Sequence, residues 1–257
     1  MRLSKLVLIA FLIVGWALGR AAPGEANADA EAIAAAVGDS HRPQEQRERD
    51  PQRRPEQMLM FAGIKSGDRV GDFMPGNAYF TRLFSRVVGP NGRVYAFIPS
   101  EEIKNCPAAE VAGSRAVARD PVYTNVKLLT GPVNQFSVPE PLDILWTAQN
   151  YHDLHDKFMG PADVRQVNRA FFNALKAGGA LIVVDHVAAP GSSLATTELL
   201  HRIDPAIMKR EIEAAGFVFD SESKVLANPS DDHSRSVFDP SIRGATDQVV
   251  LKFRKPQ

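Results

Sequence analysis

Cysteine is almost absent: Cys106 stands alone among 257 residues. That excludes an intramolecular disulfide and any thiolate metal framework. The core must therefore hold the fold. A lone thiol with no local nucleophile signature reads as a partly buried structural residue. Net charge is absent as well, since 30 basic residues balance 30 acidic ones. No global field then recruits nucleic acid or an anionic membrane surface. No apolar run reaches the ~20 residues of a membrane-spanning helix. Two motifs are also missing. Without Gly-x-Gly-x-x-Gly after the first strand, a nicotinamide-dependent oxidoreductase is disfavoured, and no His-Glu-x-x-His spacing marks a metal helix.

The N-terminus reads as a targeting segment. Arg2 and Lys5 precede an apolar run over residues 6–18, and small residues follow at Ala17-Leu18-Gly19 and Ala26-Asn27-Ala28. This order predicts a signal peptide over residues 1–28, hence export, to the periplasm in a bacterial cell, with no stable membrane insertion after cleavage. Residues 29–54 form a helical extension, with a helix over about 25–37 that Ser40-His41-Arg42-Pro43 breaks. Arg42, Arg47, Arg49, Arg53 and Arg54 then read as a solvated face, with Arg47, Arg49 and Arg53 alternatively a flap over a ligand.

From Pro55 to the end the pattern alternates helix and strand, and residues 55–257 are expected to be one domain. Pro55 suits a first helical turn. Strands are expected at 69–73, 93–98, 126–129, 142–146, 180–184, from 217 and at 248–253. The intervening helices include one with Phe80, Leu83, Phe84 and Val87 on a single face, one over 163–175, and one opened by Asp204-Pro205. Residues 180–184 are almost purely apolar, as in a strand covered on both faces. Such alternation predicts a doubly wound, mostly parallel α/β sheet. Ligands then bind beyond the carboxyl ends of the strands. Five of the six histidines, all but His41, fall in loops on that rim.

Val70-x-Asp72-x-x-x-Gly76-x-x-Tyr79-Phe80-Thr81 resembles the first cofactor-binding motif of class I S-adenosylmethionine (SAM)-dependent methyltransferases. Val88-Gly89-Pro90-Asn91-Gly92-Arg93-Val94-Tyr95-Ala96 looks like their approach to the second strand. Leu175-Lys176-Ala177-Gly178-Gly179 and Ala214-Ala215-Gly216-Phe217 are similar to the turns before strands five and six. Asn150-Tyr151-His152-Asp153, Asp185-His186 and the stretch from Asp231-Asp232-His233 to Gly244 resemble a bacterial branch of signal-peptide-bearing methyltransferases. The resemblance implies a seven-stranded sheet with its last strand antiparallel, SAM as cofactor, and methyl transfer to a small-molecule acceptor. It implies cofactor contacts at Asp72, Pro75, Gly76, Asn77, Glu101 and Asn150. Two departures stand out. The usual Gly-x-Gly-x-Gly is here Met74-Pro75-Gly76-Asn77-Ala78, and Ile98 replaces the acidic residue that ends the second strand, so either Glu101 or Glu102 reaches back or the adenosine is held differently.

Methyl transfer to a hydroxyl needs an aligned nucleophile and a group to take its proton. The candidates are His152 and His186, with Tyr151, Asp185 and His233 expected beside them in one pocket and Asp153 or Asp185 orienting a ring. No metal site is assigned. A competing reading takes Asp185, His186, His152 or His233 as ligands of a cation that holds a diol. The long final connection, with Arg235, Asp239 and Arg243, reads as a lid. The alternative function is an exported binding or scaffold protein on a degenerate methyltransferase fold.

Overall fold

The computed structural model describes residues 23–160 and 162–257, the first four of them as backbone alone. All but the last few residues of the expected signal segment lie outside these described residues. The elements run α1 (Pro23–Val37), α2 (Gln44–Arg47), α3 (Asp50–Arg53), α4 (Pro55–Ala62), β1 (Arg69–Phe73), α5 (Tyr79–Val88), β2 (Arg93–Pro99), α6 (Ser100–Asn105) and α7 (Ala112–Val117). They continue with β3 (Val126–Gly131), β4 (Leu142–Ala148), α8 (Val164–Ala174), β5 (Leu175–His186), α9 (Ala195–Leu200), α10 (Pro205–Ala214), β6 (Val218–Ser223) and β7 (Gln248–Arg254). Among the described residues no helix is long and apolar enough to cross a membrane.

The strands form one seven-stranded sheet in the order β3-β2-β1-β4-β5-β7-β6. The first five are mutually parallel, and β7 runs antiparallel to both β5 and β6. This is the expected sheet with its last strand reversed. Alternation divides each strand between two cores. Ala180, Ile182 and Val184 of β5 join the cluster beneath α1, α4 and α5. Leu181 and Val183 join the cluster beneath α8 and α10. On α5, Phe80, Leu83, Phe84 and Val87 are buried as their spacing predicts. Phe80 and Phe84 pack on Trp146 with ring centroids 4.6 and 5.3 Å away. Burial of each such side chain contributes roughly 1.5–3 kcal/mol. Gly71 is required inside β1, because a Cβ there would lie 2.7 and 2.8 Å from the Leu142 and Leu145 methyls.

Local chemistry sets the helix ends. Asp204 caps α10 by accepting from the Ala206 N–H at 2.8 Å, with Pro205 in the first turn. The Lys252 ammonium, far away in sequence, donates to the last carbonyls of α4 at Phe61 and Ala62. The turn expected at 176–179 is instead part of β5. Leu142 pairs with Leu175, and the register then jumps to Ile144 with Ala180, so the glycines sit in a bulge.

The arginine-rich extension departs from the solvated reading. Ile33 and Ala36 of α1 belong to the core beneath α5. Arg42 is 1% exposed and donates to Val37 O and to both oxygens of Asp50. A guanidinium tolerates such burial when its donors are matched by a carboxylate. Arg53 packs over the Tyr79 ring, 4.8 Å from its centroid. Arg47, Arg49 and Arg54 remain exposed.

Candidate active site

Because β1, β2, β4 and β5 are parallel, the loops after them meet on one rim. The loop after β1 has an unusual backbone. Met74, Gly76 and Ala78 all lie in the left-handed region, with φ of 56°, 52° and 58°. These are the three positions that the usual motif fills with glycine. The loop keeps the glycine backbone with side chains on two of its three sites, at about 1–2 kcal/mol of strain for each. Surrounding groups hold it there. Asn150 donates to Met74 O at 2.8 Å, Ser114 to Gly76 O at 2.6 Å, and both Gln46 and Arg82 to Asn77 O at 2.8 Å. A Cβ on Gly76 would meet nothing within 4 Å, so the space beside it is open.

A cavity of about 270 Å³ lies at this loop. Asp72, Pro75, Gly76, Asn77 and Asn150 line it, together with Arg49, Arg53, Glu102, Trp146 and Gln149. Burial pushes the Asp72 carboxyl up to about 7, against a 2.6 Å hydrogen bond from Thr81 Oγ1 and the charge of Arg53. Burial, with Arg49 adding, lowers Arg53 to about 10, which leaves it cationic at neutral pH. Its guanidinium donates to Gln149 Oε1 at 2.9 Å. Glu102 is pushed up to about 7 by burial, with Asp153 and Glu110 adding. Its Oε2 has no hydrogen-bond partner among the described residues. Glu101 lines neither this cavity nor the next and accepts from the Val133 N–H at 3.0 Å. Successive residues of a helix point about 100° apart, so α6 can turn only one of the two inward.

A second cavity of about 480 Å³ shares Met74, Glu102, Glu110, Gln149 and Asp153 with the first. His152, His186 and His201 line it, with Phe158, Phe238 and Arg243. The rings of His152 and His186 lie 6.2 Å apart. His152 Nδ1 is 2.8 Å from Asp185 Oδ1, and its backbone N–H donates to the other oxygen at 2.8 Å. Burial pulls the His152 imidazole down, but the carboxylates of Asp185 and Asp153 overcome it and hold the pKa well above the ordinary value. Asp185 is opposed by burial too, yet the His152 charge and hydrogen bonds keep it below the carboxylate range. His186 is lowered to about 4 by burial against the pull of Asp185, with His152 and Arg202 reinforcing the fall. Its Nδ1 is 2.8 Å from Thr246 Oγ1.

Three further expected residues line neither cavity, and the first is Asp185, which is fully buried behind His152. Tyr151 is fully buried, its hydroxyl accepting from Asn168 at 2.7 Å and donating to Glu211 at 3.1 Å. His233 pairs with Asp247 at 3.0 Å. His152–His155 is a single 3-10 turn, which rotates successive side chains by about 120°, so Tyr151 and His152 face different surroundings. The final connection does reach the second cavity, but through Val237, Phe238 and Arg243, while Asp231 is buried against Arg202 at 2.8 Å. Arg53 lines the first cavity, as the flap reading allows, while spacing gave Gln149 and His201 no role. For Gln149 the available signal was its position just after β4, and for His201 its place in the connection that follows β5, directly after α9.

No model of a known protein family matches this chain. The ubiquinone/menaquinone biosynthesis C-methyltransferase UbiE of Saccharophagus degradans is 30% identical to it over 129 residues, which is 49% of this chain. The chain spans only 46% of that relative's length. Among solved structures, a SAM-dependent methyltransferase from Aquifex aeolicus is similar with a TM-score of 0.54 at 17% identity, over 78% of this chain and 88% of that one. The cyclase SpnF is similar with a TM-score of 0.54 at 17% identity, over 80% of each chain. A cyclase beside a methyltransferase means that architecture alone does not select the chemistry. Strand order, reversed last strand and these neighbours together identify the architecture: this chain has the class I SAM-dependent methyltransferase fold.

Proposed function

We propose that this chain binds SAM in the first cavity and transfers its methyl group to a small molecule held in the second. The observation that carries this reading is the pair of joined cavities on the rim, the first beside a loop pinned in the glycine-motif conformation. The residues present fit the cofactor. Gly76 leaves open the space its Cβ would fill. The unpartnered Glu102 Oε2 can accept from ribose hydroxyls, a role Ile98 in the second strand cannot fill. Arg53 and Asp72 set a cation and a titratable carboxylate in one cavity, as the carboxylate and ammonium of an amino acid require. SAM, when bound, supplies an electrophilic methyl group on a sulfonium. The protein's part is to hold the two charges, align the acceptor and take up a proton where the acceptor is a hydroxyl. His186 lines the second cavity and is braced by Thr246, so we assign it that proton. The relative's methyltransferase activity supports methyl transfer here without naming the acceptor.

Titration calorimetry tests the reading. Wild type should bind SAM or its demethylated product, and Gly76→Ala and Arg53→Ala should each weaken binding at least tenfold, about 1.4 kcal/mol. No heat from wild type with either ligand would sink the reading in favour of a binding or scaffold protein. Export remains a proposal resting on residues 1–28. N-terminal sequencing of envelope-fraction protein should find a start near Arg20 or Asp29, and an intact Met1 in a cytoplasmic pool would refute it.

A further inference from the structure

We propose that His152, Asp153, Asp156 and His201 hold a divalent transition-metal cation at the wall of the second cavity. Each offers one ring nitrogen or carboxylate oxygen, and these four atoms lie within 4.8 Å of one another. His152 Nε2 is 3.3 Å from His201 Nδ1 and 3.1 Å from Asp153 Oδ1, and His201 Nδ1 is 3.9 Å from that same oxygen. A cation with bonds of about 2.0–2.2 Å to nitrogen and oxygen spaces its ligands roughly 3–4 Å apart. The donors therefore need little movement to close on one. This set differs from the one weighed from sequence: Asp185 stands behind His152, and His233 is elsewhere.

Asp185 supplies the orientation. Its carboxylate, 2.8 Å from His152 Nδ1, keeps a proton there and turns the Nε2 lone pair toward the cluster. Metal-bound imidazoles are oriented in this way by a carboxylate on the far nitrogen. His201 sits at φ 52° directly after α9, a strained conformation for a residue with a side chain, and its ring lies on edge to Phe238 at 4.7 Å. Asp156 adds an independent observation. It is 4% exposed, and its Oδ1 has no hydrogen-bond partner among the described residues. A buried carboxylate oxygen without a partner is costly. A proton on His152 satisfies Asp153 and Asp185 but leaves that oxygen bare, whereas a cation takes all four donors. Two carboxylates and two neutral imidazoles balance a dication. The mixed nitrogen and oxygen set suits Zn²⁺, Co²⁺ or Mn²⁺ better than Mg²⁺ or Ca²⁺, which prefer oxygen alone. Three of the four residues line the second cavity, so the ion would face a ligand bound there.

The test is a titration of the chelator-stripped full chain with Co²⁺, without SAM. The expected result is one equivalent bound, with ligand-field absorption in the visible that Zn²⁺ displaces. Asp156→Asn and His201→Ala should weaken binding at least tenfold, while His233→Ala, outside the cluster, should leave it within twofold. A second measurement needs no substitution. Zn²⁺ should protect His201, 29% exposed, from diethyl pyrocarbonate while leaving His41, 61% exposed, as reactive as before. Absence of stoichiometric Co²⁺ binding by wild type, or unchanged His201 reactivity with Zn²⁺, overturns the site even where a variant fails to fold. Because SAM is left out, this outcome is separate from the fate of the cofactor reading.

Discussion

Asp72 places a carboxyl group in the core beside the cofactor cavity, and pH should reveal its effect. Its folded pKa, about 7, stands above the ordinary value of 3.8, so the folded state prefers the proton. Stability is therefore undiminished by this group below about pH 4, falls as pH rises, and levels off above about pH 7. Each tenfold difference in proton affinity between folded and unfolded chain is worth about 1.36 kcal/mol, so the loss reaches roughly 4 kcal/mol. In urea titrations, Asp72→Asn should be steadier than wild type between pH 4 and 8, and equal slopes would refute the assignment. The same variant should weaken SAM binding, since a neutral amide cannot answer the ligand's ammonium. His186→Gln belongs at this scale too. It should leave SAM affinity within about tenfold while lowering turnover of a hydroxyl acceptor by ~10²-fold or more. Parallel losses of both would mark it as structural.

Among the elements, the short helices before α4 decide whether the first cavity is complete. α2 and α3 are too short to be stable alone and carry little apolar surface. Arg42 holds them, bridging the end of α1 to Asp50, which also accepts from the Tyr79 hydroxyl at 2.5 Å. Arg42→Met removes one partner of a largely buried pair, and we expect a loss of about 2–3 kcal/mol, discounted because Asp50 is partly exposed. Cofactor affinity should fall with it, because Arg49 and Arg53 ride on the same segment. A thermal melt and a SAM titration on one preparation test both halves. Arg54, exposed at φ 46° between α3 and α4, offers the opposite change. Arg54→Gly should stabilise by roughly 0.5–1 kcal/mol, read as a rise of a few degrees in Tm.

At the scale of the whole molecule, the expected boundary at Pro55 divides what the core unites. A chain starting there would uncover the α5 surface against which Ile33 and Ala36 pack, and would lack Arg53. We expect residues 55–257 to aggregate or to melt well below residues 23–257, and equal melting of the two would show the extension to be an accessory. The sheet itself was legible from one chain of letters, because its signals are local. Short apolar runs such as residues 180–184, a helical period in α5 and α8, and caps such as Asp204-Pro205 act within a few residues. Parallel strands joined through helices then put every following loop on one rim. That reasoning reached Asp72, Gly76, Asn150, His152 and His186. It could not reach the pairing of Arg53 with Gln149, 96 positions away, or the meeting of Asp156 with His201. Nor could it distinguish Glu102 from Glu101, or His152 from Tyr151. Which neighbour faces inward depends on how a short turn is rotated, and left-handed residues at Met74, Ala78, Gln149 and His201 set much of that rotation. None of those four is a glycine, so their letters carry no sign of it. The layers and the rim could be read from the letters, because periodicity is written locally. Which side chains converge is settled in the folded chain, because backbone strain at those turns is sustained by contacts from distant parts of the chain.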